Sequence, residues 1–403
     1  MSANPFEPLS DDPEDFCFLD SETRALPGVE GPEGDVTEVG VDVYARHAFP
    51  VMWTFAVGDD PVDIAALDDG FDRRLRWADV PERLKDFHRR AEEGRAWYVA
   101  WNMGFDRAIW NCAESDYPRL RIDMTLDAMA QGASSGLPGK LEHAGRACGF
   151  GGKVEIGGNL IKVFAPSTGE TPQTRPDLWS DYKRYGVRDT ALLRDVFFAT
   201  RPLPRVEWED YWISERINDR GIAVDVGFAR RAAAVANANI ARINAALVRA
   251  TNGQITAVTQ IQRITDWVYD RLESAEAREL MVKEWDLDEE DDLKPAKISL
   301  AKDRIESLLA YFDALDDDEL GYVNEVTYEV LEHRLYGGSA SPAKFGKIVR
   351  MQHDGNLRGQ YVFNGAPQTG RYSSRGVQIH NLMRKSLGAS EGEVMELINE
   401  VEL

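Results

Sequence analysis

The sequence predicts an α/β domain built on a mixed sheet, followed by a mainly α-helical region and then a basic, strand-like stretch. Three observations carry this. Short apolar runs alternate with turn residues from Phe16 to Ala113, which is how buried strands and their connections read. Long Ala-, Ile- and Leu-bearing stretches with helical spacing take over after Pro202 and Pro204. Beyond Gly337 and Gly338 the chain turns basic.

In chain order, the runs FCFLD (16–20), VGVDVYA (39–45) and PVMWTFAVG (50–58) predict three strands, Pro81–Glu93 a helix and WYVAW (97–101) a further buried strand. In LPGKLEHAGRACGF, Pro138 and Gly139 make a turn that opens an amphipathic helix. Ser180–Phe198 is a helix whose apolar face is Leu192, Leu193, Val196 and Phe197. Pro202 and Pro204 then break the chain and mark a domain boundary. Val226–Thr251 is helical and ends at Asn252 and Gly253. Ile255–Leu272, Leu300–Leu315 and Glu325–Tyr336 continue the helical region, with solvated acidic loops at Asp286–Asp292 and Asp316–Glu319. LRGQYVFNG (357–365) is the clearest extended run of the basic stretch, and Glu391–Leu403 an amphipathic helix.

At 403 residues the chain has room for two or three domains. No run approaches the roughly 20 apolar residues of a membrane span, and the acidic, Pro-bearing N-terminus lacks signal-peptide features, so a cytosolic protein with no membrane partner is expected. The three cysteines form no CxxC pair and the six histidines no HxxxH spacing, which leaves disulfide frameworks and zinc sites without support. Gly152-Lys153 is followed by Val, so it is no phosphate loop. The net charge of −22 argues against a generic polyanion binder. Yet residues 1–80 hold 5 basic against 19 acidic side chains, whereas residues 334–385 hold nine Lys or Arg against Asp354 alone. Such a partition fits a protein that meets nucleic acid at one place, or a basic face that pairs with the acidic part of the same chain.

Three short constellations could carry chemistry. Asp20 and Glu22 follow an apolar strand, and residues two apart in a strand share a face. Two carboxylates there are costly unless a cation compensates them; otherwise they are strand-end acids facing water. In WYVAWNMGFDRAIW, Asn102, Phe105 and Asp106 open a helix, where Asp106 either serves a site or complements the helix N-terminus. Tyr185 and Asp189 are four apart, hence one turn apart on one helix face, for a shared role or a surface hydrogen bond.

Taken together, a strand Asp-x-Glu, an Asn-x-x-Phe-Asp about 80 residues on and a Tyr-x-x-x-Asp about 80 further resemble the three exonuclease motifs of the DEDD superfamily, in the Tyr variant of DNA polymerase proofreading domains. LPGKLEHAGRACGF followed by GNLIKVF is similar to phage-type members of DNA polymerase family A. RINDRGIAVD (216–225) resembles the opening of their polymerase region, the helices through Leu335 their thumb, and TGRYSSRGVQIHNLMR (369–384) the stretch that holds primer and template near the palm. The resemblance implies a flexible acidic N-terminus (1–14), a ribonuclease H-like 3′–5′ exonuclease domain (15–201), a helical thumb (205–335) and the start of an α+β palm (336–403). It also implies two Mg²⁺ or Mn²⁺ ions, a fit for four carboxylates with no softer ligand. Asp20 would bridge both ions, Glu22 and Asp189 complete the first site, Asp106 serve the second, and Tyr185 orient the attacking water. Asn102 and Phe105 would bind the DNA 3′ end. Arg371, Gln378 and Asn381 would contact the primer-template, with Lys344, Arg350 and Arg358 on phosphates. His380 departs from the Gln or Pro of many relatives.

The palm aspartates of family A, in a DYSxIE-like strand and an HDE-like turn, do not follow Leu382, and His353-Asp354 stands on the wrong side of Thr-Gly-Arg. The expectation is therefore a metal-dependent 3′–5′ exodeoxyribonuclease that incorporates no nucleotides by itself. The alternatives are the first half of a split polymerase completed by a separate palm and fingers chain, and a non-catalytic DNA-binding remnant.

Overall fold

The structure is a computed structural model that describes residues 4–26, 36–112, 115–151, 157–282, 298–315, 317–338, 342–366, 368–382 and 390–401. The 152–153 dipeptide and the acidic run 286–292 lie outside the described residues. Two compact units emerge, Met1–Val226 with Lys347–Leu382, and Gly227–Gly346 with Met383–Leu403.

The first unit is built on a five-stranded sheet of order β3-β2-β1-β4-β5. Its strands are β1 (Phe16–Ala25), β2 (Ala48–Val57), β3 (Asp63–Ala66), β4 (Trp97–Ala100) and β5 (Thr125–Asp127). β1 runs antiparallel to β2 and parallel to β4, and β4 runs parallel to β5. Every residue of β2 is buried, as expected of a continuous apolar run covered on both faces. Pro50 stands opposite Thr23, where the β1–β2 register shifts, and beyond the stretch that pairs with β3, so its missing N–H leaves no gap in that ladder. Side chains of β1 alternate between two cores: Cys17 and Leu19 join one, Phe16 and Phe18 the other.

Helices cover the sheet. α1 (Val36–Arg46), α2 (Glu82–Glu92) and α3 (Met103–Trp110) precede α4 (Ala128–Ser134), α5 (Leu141–Ala147), α6 (Gly157–Phe164) and α7 (Pro176–Ala199). α3 packs beside β1 and β2 with Met103, Ile109 and Trp110 in the Cys17–Leu19 core. α7 crosses β1, β2 and β3, and its expected face of Leu192, Leu193, Val196 and Phe197 is buried. α8 (Arg205–Arg220) follows the two prolines, yet Leu203, Trp208 and Tyr211 sit in the same core as Phe18 and Phe197. Packing thus runs straight across the proline break. Two short sheets complete the unit: β6 (Ile222–Ala223), β7 (Gln352–His353) and β8 (Asn356–Leu357) in order β6-β8-β7, and the pair β9 (Tyr361–Ala366) and β10 (Arg371–Ser374).

The second unit is helical. α9 (Val226–Ala250) ends at Asn252 and Gly253, both in left-handed backbone, the C-terminal signal the sequence predicts. α10 (Ile261–Tyr269), α11 (Ala275–Leu280), α12 (Lys302–Asp313) and α13 (Asp317–Gly337) follow. Ile243, Leu247, Trp267, Leu308, Phe312 and Leu331 fill a shared core. α14 (Ala343–Met351) spans the boundary between the units, and α15 (Glu391–Asn399) opens with a Ser390–Glu393 capping box.

Several elements differ from expectation. The acidic run at Asp316–Glu319 is not a loop from Asp317 onward, because α13 begins there, and the expected helix Ile255–Leu272 is helical only over Ile261–Tyr269. VGVDVYA is not a strand but most of α1: both neighbours of β1 are already β2 and β4, and burial of Val39, Tyr44 and Ala45 suits a helix interrupted at Gly40. The basic stretch opens with a helix, α14, because Phe345, Ile348 and Met351 recur at three-residue intervals. β1 does not end at Asp20 but continues to Ala25, so Asp20 and Glu22 lie inside the strand.

Gly186 marks the tightest crossing of α7 over β2. A Cβ there would stand 3.1 Å from Met52 Cε and 3.3 Å from Thr54 Cγ2, and Thr54 Oγ1 donates to the Gly186 carbonyl at 3.2 Å. Gly186→Leu should lower the urea midpoint, since overpacking costs about 1–3 kcal/mol against roughly 1 kcal/mol of helix propensity gained. An unchanged or raised midpoint would contradict this packing.

Candidate active site

Asp20 and Glu22 of β1, Asn102, Phe105 and Asp106 at the start of α3, and Tyr185 and Asp189 of α7 line one cleft of about 770 Å³. Local structure explains each placement. The register sets Asp20 opposite Thr54 and Glu22 opposite Met52. Ser21 reaches α3: its backbone N–H and its hydroxyl both donate to Asp106 Oδ1, at 3.0 and 2.6 Å. Asp106 also lies in the first turn of α3, where its carboxylate meets its own backbone N–H. It is held, nearly fully buried, against the strand.

On α7, Tyr182 donates its hydroxyl to Glu22 Oε2 at 2.6 Å, and Tyr185 shares a side-chain hydrogen bond with Asp189. Burial, and then the neighbouring carboxylates, push both phenols upward, so they remain neutral donors. The Tyr182 ring stacks between Phe164 and Tyr185. One wall of the cleft is the segment Ala165–Thr168. It is shaped by Arg24, whose guanidinium donates to the carbonyls of Phe164, Ser167, Gly169 and Glu170 at 2.8–2.9 Å. Lys162 lines the same cleft and brings the positive charge that four carboxylates lack.

Asn102 has left-handed backbone, φ 65 and ψ 55, which Asn tolerates better than most residues. Its N–H donates to Asp127 Oδ1 at 2.9 Å, and Asp127 also caps α4 through Met129 N. Its Oδ1 accepts from Arg375 Nη1 at 2.8 Å.

The basic candidates are dispersed. Arg350 pairs with Glu38 at 3.2 Å, and Arg358 with Asp42 at 3.3 Å and with the Asp219 and His353 carbonyls. Arg371, Gln378 and Asn381 are exposed on the first unit, while Lys344 belongs to the second. Sequence reasoning missed Ser21, Arg24, Lys162, Tyr182 and Arg375. Tyr182 alone left a local signal, one helical turn before Tyr185.

The donor set suits hard, oxygen-preferring divalent cations: four carboxylates, with no His or Cys in the lining. Among the described residues no group of three or more His, Cys, Asp or Glu is already drawn together around an ion position. Glu22 is engaged by Tyr182 and Asp106 by Ser21.

Burial pushes the Asp106 carboxyl up to about 7, against the Ser21 hydrogen bonds that lower it. A carboxyl whose pKa is higher folded than unfolded takes up protons on folding, so its contribution to stability falls as pH rises from about 4 to about 7. Without divalent cations, Asp106→Asn should therefore gain stability relative to the parent between pH 5 and pH 8, by on the order of a few kcal/mol. Urea midpoints across that range test it, and a constant difference would contradict it.

No family model matches the chain. It is 23% identical over 370 residues to a DNA polymerase of Bacillus phage SP02, covering 88% of this chain and 50% of that protein. The chain thus spans about half the length of the curated relative it matches. A solved structure, the POL domain of Pol1 from M. smegmatis in complex with DNA primer-template and dNTP, covers 84% of this chain and 51% of its own, with a TM-score of 0.43 and 12% identity. Among the described residues no helix is long and apolar enough to cross a membrane. Along most of its length the chain is thus similar to a phage DNA polymerase, and its three motif groups line one cleft.

Proposed function

We propose that the cleft is a 3′–5′ exonuclease site of the proofreading type, hydrolysing the terminal phosphodiester of a DNA 3′ end within a ribonuclease H-like domain. The observation that supports it is convergence: Asp20, Glu22, Asp106, Tyr185 and Asp189 come from three segments far apart in sequence and line one cleft. The sheet order β3-β2-β1-β4-β5, antiparallel then parallel, supports the fold part of this reading.

Asp20, Glu22, Asp106 and Asp189 would hold two Mg²⁺ or Mn²⁺ ions, which supply a polarised water and neutralise charge on the leaving 3′ oxygen. Ser21 fixes one oxygen of the Asp106 carboxylate with two donors, and Tyr182 fixes Glu22. Tyr185 offers a neutral hydroxyl, oriented by Asp189, to align the attacking water. Phe105 and Trp101 present aromatic surface to the terminal base, a sequence-tolerant contact for a single strand. Lys162 stands where it can meet a phosphate of that strand.

A second reading, that the chain forms part of a DNA polymerase whose palm and fingers come from further polypeptide, is supported by the half-length match to the phage enzyme. The chain would then bind primer-template without extending it when deoxynucleotides are added, and extension by the chain alone would overturn this reading.

The primary test is digestion of a 5′-labelled single-stranded DNA with Mg²⁺. A descending one-nucleotide ladder is expected, absent in an Asp20→Ala, Glu22→Ala double variant. Tyr185→Phe should lower kcat by at least about 10-fold while leaving KM nearly unchanged. Intact DNA with the parent protein under varied metal and salt, or a ladder that survives the double variant, would refute the assignment.

A further inference from the structure

Asn102 sits in the cleft, but the group that decides how its side chain is presented comes from the basic C-terminal stretch. Its backbone is fixed independently, by the Asp127 bond to its N–H. What remains to be set is the amide, and there Arg375 Nη1 lies 2.8 Å from Oδ1. Arginine can only donate, so the oxygen must be the atom that faces it and the NH₂ group the atom that does not.

The backbone that carries Arg375 is fixed in turn. Its N–H donates to the Gln360 carbonyl at 3.0 Å, and the buried Gln360 side chain accepts from Val377 N at 3.1 Å. The neighbouring Tyr361 exchanges two bonds with the Asn218 side chain of α8, at 2.9 and 3.0 Å. α8 is tied to α3 in turn, because Arg107 bonds Asp219 through both of its terminal nitrogens and reaches Glu215 at 3.2 Å. The contacts close a loop from α3 through α8 and β9 to Arg375 and back to Asn102, all within the first unit.

We infer that Arg375 is a positioning residue for the single-stranded 3′ end: by taking the Asn102 oxygen it leaves N–H donors for the ligand, so the strand is received through an acceptor atom of phosphate, sugar or base. This rests on the nuclease reading of the cleft for its kinetic consequence, though not for binding. An amide released from Arg375 can turn over and present its oxygen to a cleft that already holds four carboxylates, which repels the same acceptors.

The test uses the full chain and four variants, Arg375→Ala, Asn102→Ala, the double variant and Arg375→Lys. With a 5′-labelled single strand and Mg²⁺, Arg375→Ala and Asn102→Ala should each raise KM about 5- to 20-fold with kcat within about twofold, the scale of the loss of about one hydrogen bond. The double variant should be no worse than Asn102→Ala, and Arg375→Lys should recover part of the loss. Arg375→Gln, which keeps a donor, serves if the alanine variant does not fold by circular dichroism. Fluorescence anisotropy of a fluorescein-labelled single strand with Ca²⁺ reads binding alone and should give the same order of variants. Parent-like KM and Kd for Arg375→Ala, or losses that multiply in the double variant, overturn the inference while a digestion ladder leaves the nuclease reading standing. A parent that binds in the expected order but never shortens the strand refutes the nuclease reading and supports the inference. A parent that neither binds nor digests overturns both.

Discussion

A carboxylate buried without compensation costs several kcal/mol, and β1, α3 and α7 bring four of them to the edge of one cleft. Much of the first unit can be read as the machinery that holds those groups in place. The register of β1 against β2 aligns Asp20 and Glu22. Ser21, between them, reaches across to Asp106, and Tyr182 and Tyr185 meet Glu22 and Asp189 from α7. All of these donors are neutral, so they direct the carboxylates without cancelling their charge. A phosphate can approach such a site only if cations invert the local field, which makes the donors and the proposed ions complementary: one set fixes geometry, the other the sign of the potential.

Charge elsewhere in the chain shows a related division of labour. Of the basic residues that the family resemblance would place on DNA, Arg358 is engaged with Asp42 and with two carbonyls, and Arg350 with Glu38. The acidic N-terminal part thus takes up some of the basic stretch, as one of the two sequence readings expects. The two arginines are not equivalent, however. The Arg350–Glu38 pair is exposed on both sides, and such pairs contribute about 0–1 kcal/mol, so a phosphate can replace Glu38 at little cost. Arg358, half-buried and bonded three ways, belongs to the scaffold of the stretch that carries Arg371, Gln378 and Asn381.

The carboxylates and their strand and helix settings were legible because each motif is local: Asp-x-Glu on an apolar run, Tyr-x-x-x-Asp on a helix. The groups that orient them were not, because their partners lie far along the chain. Tyr182 is 160 residues from Glu22, Ser21 is 85 from Asp106, and Arg375 is 273 from Asn102. No periodicity encodes such pairs; they follow from how the sheet is ordered. The misread of VGVDVYA has the same origin. Alternation suggested a strand, but whether a run can be one depends on whether a sheet edge is open to it, and β2 and β4 already flank β1.

The proline break after α7 teaches the converse lesson. Pro202 and Pro204 end a helix, which is a local event, and they read as a domain boundary. Packing ignores it, because Leu203, Trp208 and Tyr211 continue the core begun by Phe16 and Phe18. α8 is therefore anchored in the sheet-based unit, and through Asn218 it carries β9 with it. The stretch that resembles a primer-template-binding segment is thus held by the part of the chain that forms the carboxylate cleft, and it follows the helical region in sequence without folding as part of it. A contact such as Arg375 with Asn102 is then no accident of a surface loop. It joins two segments of one packed body, and any shift of the 371–381 stretch on meeting a duplex would bear directly on the amide that faces the cleft.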